Sequence, residues 1–320
     1  MIEKDKYKRL SEAAMEKYNI EVEDIDFFIE ASNAFYKIRD KSGDKFLIKI
    51  FQEESSKIED NLAEVFFIDT IREKTNIIVP TIISSKTGQS VIEIKSEEFP
   101  VPKRAILYKW IDGKDFYGKE SYEYFTKLGS ITAKLHLATR NISIPKEINP
   151  KKWDKVFFYS EEKPVYKLKK YKKIVPEDFI EIMDFIIPVF DKHLSALYKK
   201  KNPQLIHADL NPWNILIENE ELKIVDFEEA LLGFPIHDFS IFLFYYKDGK
   251  RFEFLRVKES FIEGYSKIIN DFRFDEFTVE MLMAARKVNF MNYVLDINED
   301  PENYIKKSLP IVKRFIKEYL

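Results

Sequence analysis

The pattern of hydrophobic and polar positions changes along the chain, from strand-like runs in the first third to helical periodicity in most of the remainder. Short apolar runs between polar residues predict strands at 27–29, 34–38, 46–51, 77–83, 90–94 and 104–110. The segment 41–44 predicts a hairpin turn, because Gly43 can adopt a positive φ. The first third is therefore predicted to be rich in strands, two of which are joined by a hairpin turn.

One helix is predicted inside this strand-rich third, from about 57 to 74. Apolar residues such as Leu62, Val65 and Ile68 recur there every three or four positions. Ser55 and Ser56 are candidates to cap it. After a break at 111–113, the periodicity predicts further helices at 122–139, 176–198 and 281–297.

Short strands are also predicted within the helical part, at 205–206, 215–217 and 222–225. Polar residues 218–221 join the last two strands and predict a hairpin. Such a hairpin would bring Asn214, before its first strand, close to Asp226, after its second.

Composition narrows the class of protein. The 320 residues, 45% of them apolar, suffice for one large domain or two modest ones. A net charge of -3 from 52 basic and 55 acidic residues gives no reason to expect a nucleic acid or an anionic membrane as partner, and it leaves the oligomeric state open. Cysteine is absent and no apolar run reaches the ~18 residues of a membrane span, which together predict a cytoplasmic protein. The 8 glycines argue against Rossmann and P-loop phosphate sites.

Candidate chemistry is concentrated in one loop and the hairpin that follows it. The segment 205–216 reads LIHADLNPWNIL and places Asp209 and Asn214 between two hydrophobic strands, and Asp226 ends the returning strand in the segment KIVDFE. A carboxylate and a carboxamide that leave room for water and phosphate oxygens are the hard ligands that Mg²⁺ takes at nucleotide sites. Asp209 is placed to accept a proton from an attacking hydroxyl.

These two segments resemble the catalytic loop and the metal-binding segment of aminoglycoside phosphotransferases, choline kinases and bacterial homoserine kinases. The resemblance implies that Asp209 is the catalytic aspartate and that Asn214 and Asp226 bind Mg²⁺. It also implies that His207 shapes the loop and that Asp238 secures it. The alternative for Asp238 is that it only caps the helix that follows. His136 and His237 lie in apolar segments and are interpreted as hydrogen-bonded core residues without a chemical role.

The resemblance also implies a two-lobed, protein-kinase-like α+β fold. A small N-terminal lobe with an antiparallel sheet and one helix would span 1–108 and bind the nucleotide. A hinge would occupy 109–113, and a larger, mostly helical lobe would span 114–320 and carry the catalytic loop and the acceptor site.

Several residues of the first lobe are similar to the family's nucleotide site. Lys49 stands in an apolar strand, where an unpaired ammonium is costly, and Glu64 on the following helix is its candidate partner. The remaining candidates for nucleotide binding are a phosphate-covering turn and a hinge whose backbone would bind the adenine, namely Ser32, Asn33, Lys109, Trp110 and Ile111. The turn contains no glycine, which leaves the strength of nucleotide binding open.

The implied reaction is transfer of the γ-phosphate of ATP, with GTP not excluded, to a hydroxyl of a small molecule in the presence of Mg²⁺. The acceptor is expected to be an aminoglycoside, an amino alcohol, homoserine or a sugar derivative. Glu228 and Glu229 are candidates to attract a cationic acceptor, and Trp213 to pack on a quaternary amine. The alternative is that these three residues are surface acids and a packing aromatic.

Two other functions fit a kinase-like chain. A pseudokinase would bind a nucleotide or a partner without turnover, but degenerate kinases typically lose one of the groups that are present here as Lys49, Asp209, Asn214 and Asp226. A protein kinase would carry an Ala-Pro-Glu triplet after its metal-binding aspartate, and the sequence has none there. Glu228, in place of the glycine common in protein kinases, also favours a small-molecule kinase.

Overall fold

The computed structural model describes residues 2–30, 32–52, 57–159, 162–200, 202–297 and 300–320. Internal contacts divide the chain into two compact units, and each is built from segments that are distant in sequence. Unit 1 comprises Met1–Asp115, Ile144–Asn149 and Ile215–Glu228, and unit 2 comprises Phe116–Ser143, Pro150–Asn214 and Glu229–Leu320. The predicted lobes, by contrast, are continuous in sequence.

Unit 1 contains the predicted antiparallel sheet. Its strands are β1 (Val22–Glu30), β2 (Asn33–Asp40), β3 (Lys45–Phe51), β4 (Thr81–Ile83), β5 (Val91–Ile94) and β6 (Lys103–Lys109). The order across the sheet is β1-β2-β3-β6-β4, and β5 also pairs with β6. Gly43 takes a φ of 91° in the turn between β2 and β3, as the sequence predicts.

In the described part of unit 1, the helices are α1 (Ile2–Met15) and α2 (Ile58–Lys74). The prediction of one helix omitted α1, which buries Leu10, Ala14 and Met15 in the same hydrophobic core as one face of the sheet. Helix α2 begins where the periodicity predicts, and the N–H of Lys57 donates to the carboxylate of Asp60 over 3.2 Å. The proposed caps Ser55 and Ser56 lie outside the described residues.

A second sheet in unit 1 contains the predicted hairpin. It joins β7 (Lys114–Asp115), β9 (Ile215–Glu218) and β10 (Glu221–Ile224), with β9 in the middle. Asn219 and Glu220 form the turn with positive φ angles of 49° and 64°. The N–H of Ile224 donates to the carbonyl of Ile78 over 3.0 Å, which anchors the hairpin to a segment that is distant in sequence.

Unit 2 is mostly helical, as predicted. Its helices are α3 (Tyr122–Thr139), α4 (Phe179–Lys200), α5 (Pro235–Phe244), α6 (Phe254–Ser266), α7 (Glu276–Ile297) and α8 (Pro301–Tyr319). Helices α5, α6 and α8 lie outside the ranges that the periodicity singled out. In the part of the chain that the structure describes, no helix combines the length and apolar character needed to cross a bilayer.

A two-stranded sheet in unit 2 frames the candidate catalytic loop. Strand β8 (Gln204–Ile206) leads directly into the loop, and β11 (Leu231–Gly233) pairs with β8 in antiparallel orientation, with Leu231 opposite Ile206. Helix α5 begins two residues after β11, with Pro235 at its start. This arrangement holds the beginning of the loop against the beginning of α5.

Candidate active site

Lys49 lies at the centre of a buried charge cluster in unit 1. Its ammonium on β3 is 3.0 Å from the Glu64 carboxylate on α2 and 2.8 Å from the Glu228 carboxylate. Burial alone would lower the pKa of Lys49, but the negative charges of Glu64, Glu228 and Asp226 outweigh it and raise the pKa. The lysine is therefore held as a cation, and the predicted pairing of Lys49 with Glu64 is present.

The predicted phosphate-covering turn meets the same cluster through Glu228. Ser32 Oγ donates to Glu228 Oε1 over 3.1 Å, and Asn33 Nδ2 donates to Glu228 Oε2 over 2.5 Å. Phe227 packs edge-on against Phe67 of α2 with 5.2 Å between ring centroids, which fixes the backbone beside Glu228. Glu228, predicted as a residue of the acceptor site, thus contacts the candidates for nucleotide binding.

The hinge residues differ in whether their backbone groups already form hydrogen bonds within the protein. Lys109 ends β6 and pairs with Phe46 on one side and Thr81 on the other. The N–H of Trp110 donates to the carbonyl of Lys45 over 3.0 Å. Among the residues that the structure describes, the N–H of Ile111 donates to no backbone carbonyl, whereas that of Trp110 is already engaged.

The candidate catalytic loop of unit 2 holds Asp209 through both of its carboxylate oxygens. Oδ2 accepts from Asn211 Nδ2 and from Asn214 Nδ2, each over 2.8 Å. Oδ1 accepts from Arg286 Nη2, also over 2.8 Å. Burial raises the pKa of Asp209, and the positive charge of Arg286 opposes that rise. The carboxylate is thus fixed in place by three donors.

Arg286 on α7 is a functional candidate that the sequence did not reveal. Burial would lower its pKa, but the charge of Asp209 outweighs this effect and raises it, so the guanidinium is charged. The Cζ atom of Arg286 lies 4.9 Å from the ring centroid of Phe290, and this contact restricts the orientation of the guanidinium. The signal in the sequence is a single arginine within the apolar pattern of α7, but its partner is 77 positions away and periodicity cannot identify it.

The loop itself is supported by Asp238 of α5. Asp238 Oδ1 accepts from the N–H of Ala208 over 2.7 Å, and Oδ2 accepts from the N–H of His207 over 3.1 Å. His136 Nε2, on α3, is 2.9 Å from the same Oδ2. Ala208 has a φ of 62°, which is unfavourable for a residue other than glycine. The side chain of His207 also contributes, because its Nδ1 accepts from the N–H of Asp209 over 3.2 Å.

Glu229 and Trp213 lie in unit 2, near other polar and aromatic side chains. Glu229 Oε2 is 3.2 Å from the ammonium of Lys151 and accepts a hydrogen bond from the hydroxyl of Tyr159. Trp213 is about half exposed and stacks on Tyr117 with 4.9 Å between centroids. Glu228 and Glu229, adjacent in sequence, therefore contribute to separate clusters.

The residues expected to bind Mg²⁺ have suitable donor atoms. Asn214 Nδ2 is engaged by the carbonyl and carboxylate of Asp209, which leaves the amide oxygen of Asn214 as its potential ligand atom. Asp226 follows β10 with a φ of 61°, an unusual conformation that is common at functional sites. In the described part of the chain, no cluster of three or more histidines or carboxylates forms a complete metal cage. Mg²⁺ at a nucleotide site usually takes only one or two protein ligands. Asn214 and Asp226, each considered within its own unit, carry oxygen atoms of the kind that Mg²⁺ takes.

A family model for the phosphotransferase enzyme family (APH) matches residues 28–270. The chain belongs to this family. Membership confirms the suspected family and the expectation that the chain is a phosphotransferase enzyme. No curated protein matches the sequence of this phosphotransferase.

Solved structures confirm the predicted fold class. An amicoumacin kinase aligns with a TM-score of 0.78 at 18% identity, covering 98% of this chain and 96% of its own. A microcompartment-associated aminopropanol kinase aligns with a TM-score of 0.73 at 15% identity and covers 97% of both chains. A choline kinase from Cryptosporidium parvum aligns with a TM-score of 0.61 at 14% identity, covering 93% of this chain and 89% of its own. At these identities the likeness concerns the fold of the phosphotransferase.

Proposed function

We propose that this phosphotransferase is an ATP- and Mg²⁺-dependent kinase of a small molecule that carries a hydroxyl group. The hydroxyl oxygen attacks the γ-phosphorus of ATP, a new O–P bond forms, and the bond to the oxygen bridging the β- and γ-phosphates breaks. ADP leaves, and the proton of the hydroxyl passes to Asp209. The products are the phosphorylated acceptor and ADP.

The residues of unit 1 would bind the nucleotide. Lys49, kept charged by Glu64, would contact phosphate oxygens, and the backbone N–H of Ile111 would donate to the adenine. Ser32 and Asn33 would cover the phosphates in exchange for their present contacts with Glu228. We assign Asn214 and Asp226 as ligands of Mg²⁺, which when bound would neutralise phosphate charge.

The observation that carries the proposal is the state of Asp209. Its carboxylate is partly buried, one guanidinium and two side-chain amides fix its orientation, and one oxygen retains acceptor capacity among the described residues. A general base needs this combination of position and remaining capacity. The names of the similar structures, kinases of amicoumacin, aminopropanol and choline, support a small-molecule acceptor.

The test is turnover of ATP by the purified protein with Mg²⁺ and a panel of aminoglycosides, choline, ethanolamine, homoserine and sugars. We expect acceptor-dependent formation of ADP, and a loss of roughly 10²- to 10⁴-fold in kcat for Asp209→Asn. Asp271→Asn, which removes an exposed carboxylate, is the matched control. Calorimetry should show that all three proteins bind ATP. Binding of ATP without turnover of any acceptor would instead favour a pseudokinase.

A further inference from the structure

We propose that the acceptor carries a carboxylate, and that Arg286 binds this carboxylate beside the hydroxyl that Asp209 activates. The inference rests on the proposed function, because it takes Asp209 as the base. It goes further by naming a charged group of the acceptor. The sequence suggested a cation, attracted by Glu228 and Glu229, whereas the structure favours a carboxylate.

The hydrogen bonds of Asp209 determine where the hydroxyl binds. A carboxylate oxygen accepts about two hydrogen bonds. Within the described part of the chain, Oδ2 already accepts two, from Asn211 and Asn214, whereas Oδ1 accepts one, from Arg286 Nη2. The acceptor hydroxyl therefore binds Oδ1, and the other groups of the acceptor lie beside the guanidinium.

Arg286 has a donor available for such a group. Its Nε is buried and has no hydrogen-bond partner among the described residues. Its Nη2 serves Asp209, with the hydroxyl of Tyr245 further away at 3.5 Å. A buried N–H without an acceptor is costly, and a carboxylate that binds the fork of an arginine through two oxygens would satisfy it.

The nearby acid that was expected to attract a cation is already neutralised. Glu229 pairs with the ammonium of Lys151 at 3.2 Å and accepts a hydrogen bond from Tyr159. Asp209 is paired with Arg286. A cationic group of the acceptor would therefore be repelled by the Arg286 guanidinium, since the nearby carboxylates of Asp209 and Glu229 are already paired. A carboxylate of the acceptor would instead be attracted to Arg286 and could accept from its Nε.

Trp213 and Tyr117 extend the same surface of unit 2. Tyr245, which lies next to Arg286, contacts Trp213 edge-on with 5.7 Å between centroids, and Trp213 stacks on Tyr117. These aromatic rings, which Tyr245 connects to Arg286, would pack against the carbon skeleton of the acceptor. The geometry thus combines one oxyanion donor with an apolar wall.

The first experiment measures kcat/KM for pairs of compounds that differ by a carboxylate: serine and ethanolamine, homoserine and propanolamine, glycerate and ethylene glycol. We expect the carboxylate member of an accepted pair to be favoured by about 10- to 100-fold, the range for a hydrogen bond to a charged group. Equal or better use of the members without a carboxylate overturns the proposal. So does a failure to use any pair.

The second experiment assigns the preference to Arg286. Arg286→Met should raise KM for the carboxylate member of a pair by about 10- to 100-fold and leave KM for the other member within about twofold. If the substitution also moves Asp209, kcat should fall equally for both members. Arg286→Lys should give an intermediate KM, because it keeps the charge but not the fork. Lys287→Met removes the same charge from the next position of α7 and should change neither KM.

An equal loss of kcat/KM for both members in Arg286→Met would show that Arg286 only positions Asp209, and would overturn the inference. Melting curves identify a variant that does not fold, in which case Arg286→Lys carries the comparison. Turnover of choline or an aminoglycoside, with no use of carboxylate acceptors, would overturn the inference and leave the proposed kinase function intact. ATP binding without turnover of any compound would count against both.

Discussion

One buried carboxylate holds the backbone of the candidate catalytic loop. Both oxygens of Asp238 accept N–H groups, from Ala208 and His207, and His136 approaches the second oxygen. An asparagine at this position would turn an NH₂ group toward at least one of these donors. The loop would then lose a hydrogen bond either at Ala208, which has an unfavourable positive φ, or at His207 directly before it.

Asp238→Asn should therefore lower the free energy of unfolding by roughly 2–4 kcal/mol, as the loss of a buried charge-assisted network does. It should also lower kcat by at least about tenfold, because the loop positions Asp209. Asp191→Asn is the matched control, since Asp191 uses one oxygen to accept the N–H of Val156 and an amide can keep that bond. Chemical denaturation and steady-state kinetics measure both effects. An unchanged kcat would show that Asp238 does not position the loop.

The sequence identifies some residues of the candidate active site, but it does not show the contacts that their side chains make. The types and spacing of Asp209, Asn214 and Asp226 were sufficient to single them out. The sequence does not show in which direction the side chains of Glu228 and Glu229 point. The two residues lie between β10 and β11, so the alternation of side chains along a strand does not apply to them. Arg286 was missed for a related reason: its role depends on a contact across the fold rather than on a local motif.

Among the elements, the crossing of α3 and α6 depends on two glycines. A Cβ atom at Gly264 would lie 1.8 Å from the carbonyl oxygen of Thr126, and one at Gly129 would lie 2.1 Å from that of Phe261. The hydroxyl of Ser130 donates to the carbonyl of Gly264 over 2.8 Å. The helices are therefore closer than any larger residue allows at these positions.

Gly264→Ala should destabilise the protein even though alanine is the better helix former by about 1 kcal/mol. The helices would have to separate, and we expect a net loss of roughly 1–3 kcal/mol in the free energy of unfolding. Gly249→Ala is the control, because the nearest atom to its Cβ would be 3.5 Å away and it should change stability by less than about 0.5 kcal/mol. Equal stability of the two variants would mean that the crossing can relax.

Strong periodicity predicted the elements well, and weak amphipathic segments were overlooked. Helix α2 and the β9–β10 hairpin occur close to where the pattern places them. Helix α1 was missed because lysines and glutamates occupy most of its surface and only a few residues, such as Leu10 and Ala14, are buried. The strand predicted at 77–83 is shorter, and β4 begins at Thr81, after a proline that cannot donate to a ladder.

For the whole molecule, the boundaries of the two units cannot be found from the order of segments along the chain, because each unit combines segments that are distant in sequence. The hairpin of β9 and β10 follows the catalytic loop in sequence but belongs to unit 1. Its contacts explain this: Lys223 Nζ donates to the carbonyl of Asp112 over 2.7 Å, and Ile224 bonds to Ile78. Such pairings connect residues more than a hundred positions apart, and no local pattern encodes them.

The stability of the whole molecule should depend on pH through Glu162. Burial raises the pKa of this carboxyl to about 7, and hydrogen bonds such as the one that Oε1 accepts from Asn289 over 2.7 Å only partly oppose the rise. Its Oε2 is buried without a partner in the described part of the chain. Since the folded state binds this proton more tightly than the unfolded state, the stabilisation is complete below about pH 4.5 and is lost as the pH rises to about 7.

Glu162→Gln removes this titration. Compared with the natural protein, the variant should gain stability as the pH rises from 5 to 8, by at most roughly 3 kcal/mol, because each pKa unit corresponds to about 1.4 kcal/mol. The measurement is urea unfolding at several pH values, and Glu259→Gln, at an exposed position on α6, is the control. If unfolding proceeds in two steps, the effect belongs to the step that unfolds unit 2, which contains Glu162. A difference between Glu162→Gln and the natural protein that stays constant with pH would show that the carboxyl is already ionised in the folded state at pH 5.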